Sequence, residues 1–413
     1  MKTDATHKKM QEELDFKQLQ LNSILEITQA INQNFSSDQL LSIYQFVIRN
    51  QLKIGKLVLY IVVGKKWRGV LNYGIGSGFK SVSVPENLSP INDIVSVDEN
   101  HNQVFGEFET VIPVFHKDKA LAYALIGDYK DKYPDPKYNI SAFVQTITNL
   151  IVVAMENKRL ARELVKQEGM KRELQLAAEM QATLFPASLP ELENIEMHAT
   201  YLPFQEVGGD YYDFIPLNDD EALICMADVS GKGLAAALLM ANFQANLRVL
   251  ANFYPSFSDL MTRLNSKVMG SAKGEKYITL FIARFNNKTR QLEYVNAGHN
   301  PPLLYFNGKI LSLEEGTVGL GMFDELPFLN IGKVTLEPGA EVILLSYTDG
   351  VIDLENDQGN RFGTDRLMDF LSEHAHLRGM KVFNDALVRK LNEFRGKKPF
   401  VDDIALLSCR GKF

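Results

Sequence analysis

The chain has 413 residues, 46% of them hydrophobic and 23% charged, with a formal net charge of −7. That length fits two domains and a connector, and the acidic balance, with no basic stripe, argues against a grip on nucleic acid. No run approaches the roughly 18 apolar residues of a membrane-crossing helix, and polar Met1–Lys9 has no apolar stretch behind it to make a secretory signal.

Residues 1–20 read as a polar tail. From Leu21 to Asn34 apolar residues recur at helical spacing (Ile24, Leu25, Ile27, Ile31). A second helix follows the capping box of Ser36 and Gln39, with Leu40, Ile43, Tyr44 and Val47 on its apolar face. Strand-like runs come next at Lys56–Val63, Trp67–Tyr73, Glu107–Phe115 and Leu121–Asp128, with Gly, Asn and Asp between them. This order predicts an antiparallel sheet with helices on one side, over residues 21–157. From Ser141 the pattern is helical as far as Phe185, where Pro186 ends it. Val153, Asn157, Leu160, Leu164, Leu174, Ala178 and Gln181 approximate a 4-3 seam, so residues 158–186 read as a coiled-coil linker and the chain as a parallel homodimer, the alternative being a helix laid along its own domains. Gly169 interrupts that helix at a cost of roughly 1 kcal/mol relative to alanine.

Residues 187–413 alternate strands with a few helices. Strands are expected at Glu196–Leu202, Ala222–Ala227, Ile278–Phe285, Leu292–Asn296, Val342–Tyr347 and Ile404–Ser408. Helices are expected at Leu234–Phe253, Phe257–Met269, Asp365–His374 and Lys381–Phe394. The only cysteines, Cys225 and Cys409, fall in apolar runs and read as buried, reduced thiols of a cytoplasmic protein.

Four acidic signatures punctuate this second half: Gly208-Gly209-Asp210, Asp228 through Gly233, Thr348-Asp349-Gly350, and Asp402-Asp403. Any one of them alone is an ordinary turn aspartate. Together, with no basic residue directly flanking any of them, they would repel one another unless a cation were present. Mn²⁺ or Mg²⁺ suits them, because hard ions take oxygen ligands and keep several waters. A backbone carbonyl in the Asp228 loop, Val229, is a further oxygen donor. Two such ions about 3.5–4 Å apart can activate water against a phosphoester, and no Cys-centred phosphate loop, G-x-S-x-G elbow or Walker sequence offers an alternative. His299 is the one histidine within a motif; hard ions prefer oxygen, so it reads as shaping its turn. Lys232 reads as an exposed loop lysine.

These motifs, with Glu206–Asp213, Ala227–Gly233, Asn296–Pro302 and Tyr347–Gly350 in order, resemble the SpoIIE/RsbU branch of the metal-dependent PPM serine/threonine phosphatases. The resemblance implies an α-β-β-α sandwich, so that the whole chain is α+β. It implies that Asp210, Asp228, the Val229 carbonyl, Asp349 and one of Asp402 and Asp403 hold the metals, with Asp402 the better match. Asp210, Asp228, Asp349 and Asp402 would then act through metal-activated water. By the same resemblance the substrate is a phosphoserine or phosphothreonine protein, an anti-sigma-factor antagonist of the STAS type. The other reading is an inert scaffold that binds a phosphoprotein without cleaving it. Residues 21–157 resemble a GAF sensory domain in element order and exit helix. That implies a small-molecule or protein signal or, equally, a role in dimerising alone, with no cysteine there to attach a chromophore.

Overall fold

The computed structural model describes residues 2–64, 66–76, 84–97, 105–130, 139–186, 189, 195–254 and 256–412. The chain divides into two units, Met1–Glu168 and Gly169–Phe413.

In the first unit, helix α1 (Lys2–Asn32) begins well before the expected Leu21. Ser36 caps helix α2 (Ser37–Phe46) through the expected box, its hydroxyl accepting from Gln39 N–H while the Gln39 side chain accepts from Ser36 N–H. Strands β1 (Lys56–Val63), β2 (Lys66–Tyr73), β3 (Val95–Ser96), β4 (Thr110–His116) and β5 (Lys119–Gly127) form one antiparallel sheet in the order β2-β1-β5-β4-β3. Side chains alternate along these strands. Leu57, Leu59, Ile112, Ala124 and Ile126 pack with Ile27, Tyr44 and Ile147 from the helices, while Val58, Tyr60, Val111 and Leu125 face the other way onto Leu88, Phe105 and Phe108. Helix α3 (Ile140–Ala182) follows.

The second unit contains strands β6 (Ile195–Leu202), β7 (Tyr211–Pro216) and β8 (Glu221–Val229), helices α4 (Leu234–Phe253) and α5 (Phe257–Ala272), and strands β9 (Ile278–Asn286) and β10 (Gln291–Ala297). Short strands β11 (Leu303–Phe306), β12 (Lys309–Ser312), β13 (Gly316–Thr317) and β14 (Gly332–Thr335) precede β15 (Glu341–Tyr347). Helices α6 (Asp349–Ile352), α7 (Gly363–His374) and α8 (Met380–Arg395) lead to β16 (Ile404–Lys412). One sheet runs β13-β10-β9-β8-β7, with β14 also on β10; the other runs β12-β11-β15-β16-β6.

Three apolar layers hold these elements. Phe214, Met226, Phe281, Leu344, Ala405 and Leu407 pack between the two sheets. Met240, Phe243, Leu247, Leu260 and Leu264 seal α4 and α5 on the outer face of the first sheet. Leu367, Phe370, Phe383 and Leu387 seal α7 and α8 on the second. The result is the expected helix-sheet-sheet-helix sandwich.

One expectation needs correction. α3 and α4 are each long and apolar enough, on mean hydropathy, to cross a membrane. A search for unbroken apolar runs misses them because polar residues are interspersed. Both have a local reason to be apolar: α4 buries Met240, Phe243 and Leu247, and the start of α3 buries Phe143, Val144, Ile147 and Ile151.

Candidate metal centre

The sandwich brings the four acidic signatures to one edge. Asp210 stands at the entrance to β7 and is 2% exposed. Asp228 lies near the end of β8, paired in register with Thr279 of β9. Asp349 opens α6 directly after β15, and Asp402 and Asp403 lie just before β16. β15 and β16 are antiparallel neighbours, which sets the α6 turn beside the final acidic pair. Thr348 locks that junction: its N–H donates to the Ala405 carbonyl at 3.1 Å, and its hydroxyl accepts from Ala405 N–H at 2.9 Å.

Two glycines make this proximity possible. A Cβ on Gly350 would collide with the Asp403 carbonyl oxygen, and one on Gly208 with the Tyr201 hydroxyl and the Asp403 carboxylate. Gly350 therefore allows close backbone approach inside a helical turn.

The carboxylates feel one another. Burial first, then Asp228 and Asp403, raises the pKa of Asp210 well above the ordinary carboxylate value. Burial, followed by the charge of Asp349, pushes Asp228 up to about 7, opposed by a hydrogen bond shared with Asp210. Asp349 is raised by burial and then by Asp402. Asp403 is raised by burial, against the amides that it binds. Asp210 Oδ2 is buried without a hydrogen-bond partner.

The final pair divides its work. Asp403 Oδ1 accepts from Phe204 N–H at 2.7 Å and Oδ2 from Gly209 N–H at 3.1 Å, so it ties down the turn that carries Asp210. Asp402 borders a cleft of about 240 Å³, which Asp228, Val229, Lys232, Tyr277 and Asp349 also line. Among the described residues no three His, Cys, Asp or Glu side chains are set to hold a single ion by themselves. Any shell would need water and main-chain oxygen beside the carboxylates. This is how Mg²⁺-like ions are commonly held.

His299 lies behind this wall, 5% exposed, with Nδ1 3.0 Å from the Thr279 hydroxyl and its backbone N–H donating to Asn296 Oδ1 at 2.7 Å. Burial lowers its pKa to about 4, so it is neutral near pH 7.

Sequence reading missed three supports. Gln181, expected on a coiled-coil seam, is buried against Gly208: its Nε2 donates to the Gly208 carbonyl at 2.8 Å, and its Oε1 accepts from Gly208 N–H at 3.2 Å. Polar character at the end of the seam was the available clue. Asp213 is fully buried and holds Arg248 of α4 in a two-pronged pair of 2.7 and 2.9 Å, with Tyr211 hydroxyl as a third donor. Lys276 Nζ donates to the Ser230 carbonyl at 2.7 Å, fixing the loop after Asp228.

Comparison with known proteins places these features. Residues 218–412 match the family model of Stage II sporulation protein E (SpoIIE). Phosphoserine phosphatase RsbU of Bacillus subtilis is 28% identical over 335 residues, covering 79% of this chain and 88% of that protein. Protein IcfG of Synechocystis sp. is 27% identical over 292 residues, 64% of this chain, but the match spans only 46% of IcfG. The SiaA-PP2C domain of Pseudomonas aeruginosa superposes with a TM-score of 0.51 at 24% identity, covering 60% of this chain and 98% of that domain, a likeness of fold. The second unit thus resembles the SpoIIE family over residues 218–412, and the chain is similar to the phosphoserine phosphatase RsbU.

Proposed function

We propose that this chain is a metal-dependent protein phosphatase that hydrolyses phosphoserine or phosphothreonine on a partner protein. The observation that carries the reading is the gathering of Asp210, Asp228, Asp349 and Asp402 at one sheet edge, where burial and like charge raise the first three. Such a cluster is stable at neutral pH only with protons or a cation to offset it. The unpartnered Asp210 Oδ2 and the oxygen-only donor set fit Mn²⁺ or Mg²⁺. Asp210, Asp228, the Val229 carbonyl, Asp349 and Asp402 would hold two ions. Asp403 supports from behind, because both its oxygens are engaged by backbone amides. Bound ions would supply Lewis-acid activation of water and offset charge on the phosphoryl group. The chain's own part is to fix the donors: Thr348 holds Asp349 beside the last strand, Asp403 sets the turn before Asp210, and Lys276 holds the loop after Asp228.

Likeness to a phosphoserine phosphatase, RsbU, supports a phosphoprotein substrate, and a STAS-type anti-sigma-factor antagonist is our choice. The first unit is read as a GAF-like sensor for a small molecule or protein, and α3 as the element that relays its signal and pairs two copies. The free thiols Cys225 and Cys409 accord with a reducing cytoplasm. The deciding experiment is turnover of a phosphorylated STAS protein across a Mn²⁺ titration. The wild type should show metal-dependent phosphate release, and Asp228→Asn should lose at least about a hundredfold, as befits loss of a metal ligand. Binding of the phosphoprotein with no release at any Mn²⁺ concentration would establish the scaffold reading in its place.

A further inference from the structure

Lys232 makes more contacts than an exposed loop lysine needs. Its Nζ lies 2.7 Å from Asp402 Oδ2, donates to the Val401 carbonyl at 2.6 Å, and sits 5.1 Å from the centroid of the Phe204 ring. Phe204 is the residue whose N–H binds Asp403. One ammonium therefore joins the glycine-rich loop, the approach to β16 and the turn before Asp210. The neighbouring Lys276 is engaged with the Ser230 carbonyl. Among the described residues no other lysine or arginine forms an ion pair with Asp210, Asp228, Asp349, Asp402 or Asp403.

Resting on the metal-centre reading above, we propose that Lys232 is an internal counter-cation that competes with the divalent ion for Asp402 and so sets the metal concentration at which the site fills. The ammonium already offsets one of the clustered negative charges, and a metal ion that takes Asp402 must displace it. Displacement also releases Val401 and Phe204, so filling the site loosens a contact between three segments. Lys232 and Asp402 are 45% and 35% exposed, so the competition is worth a modest factor, roughly two- to fivefold in affinity.

The test is Mn²⁺ binding by the full-length chain, followed by the electron paramagnetic resonance signal of free Mn²⁺, which needs no substrate. Lys232→Gln and Lys232→Met should each bind Mn²⁺ roughly two- to fivefold more tightly than wild type. Lys232→Arg, which keeps the pair, should stay near wild type. Lys333→Gln, which breaks an exposed pair with Glu293 that the site does not use, should change affinity less than about twofold. Unchanged or weaker binding in folded Lys232→Gln and Lys232→Met overturns the proposal, as does an equal gain in Lys333→Gln. A wild-type chain that takes up no Mn²⁺ overturns the metal-centre reading itself, and this inference with it.

Discussion

Asp213 has no accessible surface, and its carboxylate accepts from Arg248 and Tyr211. Removing Arg248 leaves a buried charge with only the tyrosine hydroxyl and the Phe214 N–H, and broken buried pairs cost about 3–5 kcal/mol. Arg248 is 44% exposed, so some of that is recovered by water. Arg248→Met should therefore destabilise the second unit by about 2–3 kcal/mol in denaturant unfolding, whereas Asp213→Asn with Arg248→Met should recover part of the loss. A single-mutant change within about 0.5 kcal/mol of wild type would show that the pair is not holding α4 to β7. His299 carries a pH signature of its own. Its folded pKa, about 4, lies below the ordinary 6.5, so the unfolded chain binds the proton first. The contribution is fully present above 6.5 and is lost as pH falls toward 4. By linkage this amounts to about 2 kcal/mol between pH 8 and pH 5. The raised aspartates act in the opposite sense, so the measurement must be a difference. The stability gap between wild type and His299→Gln should narrow by about that amount as pH falls from 8 to 5. A gap that does not change with pH would place the imidazole in contact with water.

At the scale of elements, most of the sandwich was legible because strand and helix periods are strong in a buried core. β8, β9, β10, β15 and β16 fall where apolar runs put them, as do α4, α5, α7 and α8. What escaped had a physical cause. β7 reads Tyr211-Tyr212-Asp213-Phe214-Ile215-Pro216, and a fully buried aspartate interrupts the apolar pattern because Arg248, 35 residues away, compensates it. β11 to β14 are only two to four residues long, too short for a period to show. The first turns of α1 are polar, and among the described residues only Phe16 and Leu19 there touch the core before Ile24. In the site, the aspartates were visible from their glycine neighbours, whereas the dependence of Gly208 on Gln181 was not, because a glutamine-to-backbone pair leaves no spacing. That pair gives the end of α3 a direct hold on the turn before Asp210. Ala177→Pro, one turn earlier, removes a helical hydrogen bond and kinks the helix at about 3 kcal/mol or more. It should uncouple phosphatase activity from signal or abolish it. Activity and signal response equal to wild type would remove α3 from the proposed relay.

At the scale of the whole molecule, each unit has its own apolar core, and one helix passes from the first to the second. Between those cores α3 cannot be held by burial: Leu160, Leu164, Val165 and Met170 are 44%, 61%, 70% and 64% exposed. A helix so long with an exposed apolar stripe gains stability by pairing with a second copy. Burying Leu160 and Leu164 on two chains would contribute about 1.5–3 kcal/mol for each fully buried side chain, less the cost of association. The proposed homodimer therefore depends on those two leucines. Leu160→Lys with Leu164→Lys should convert a dimer of the full-length chain to a monomer in light scattering at micromolar concentration. Each unit should keep its own unfolding transition, because neither leucine belongs to a core. A wild-type chain that is monomeric under those conditions, or a double variant that remains dimeric, would move the pairing surface elsewhere and leave α3 as a tether only.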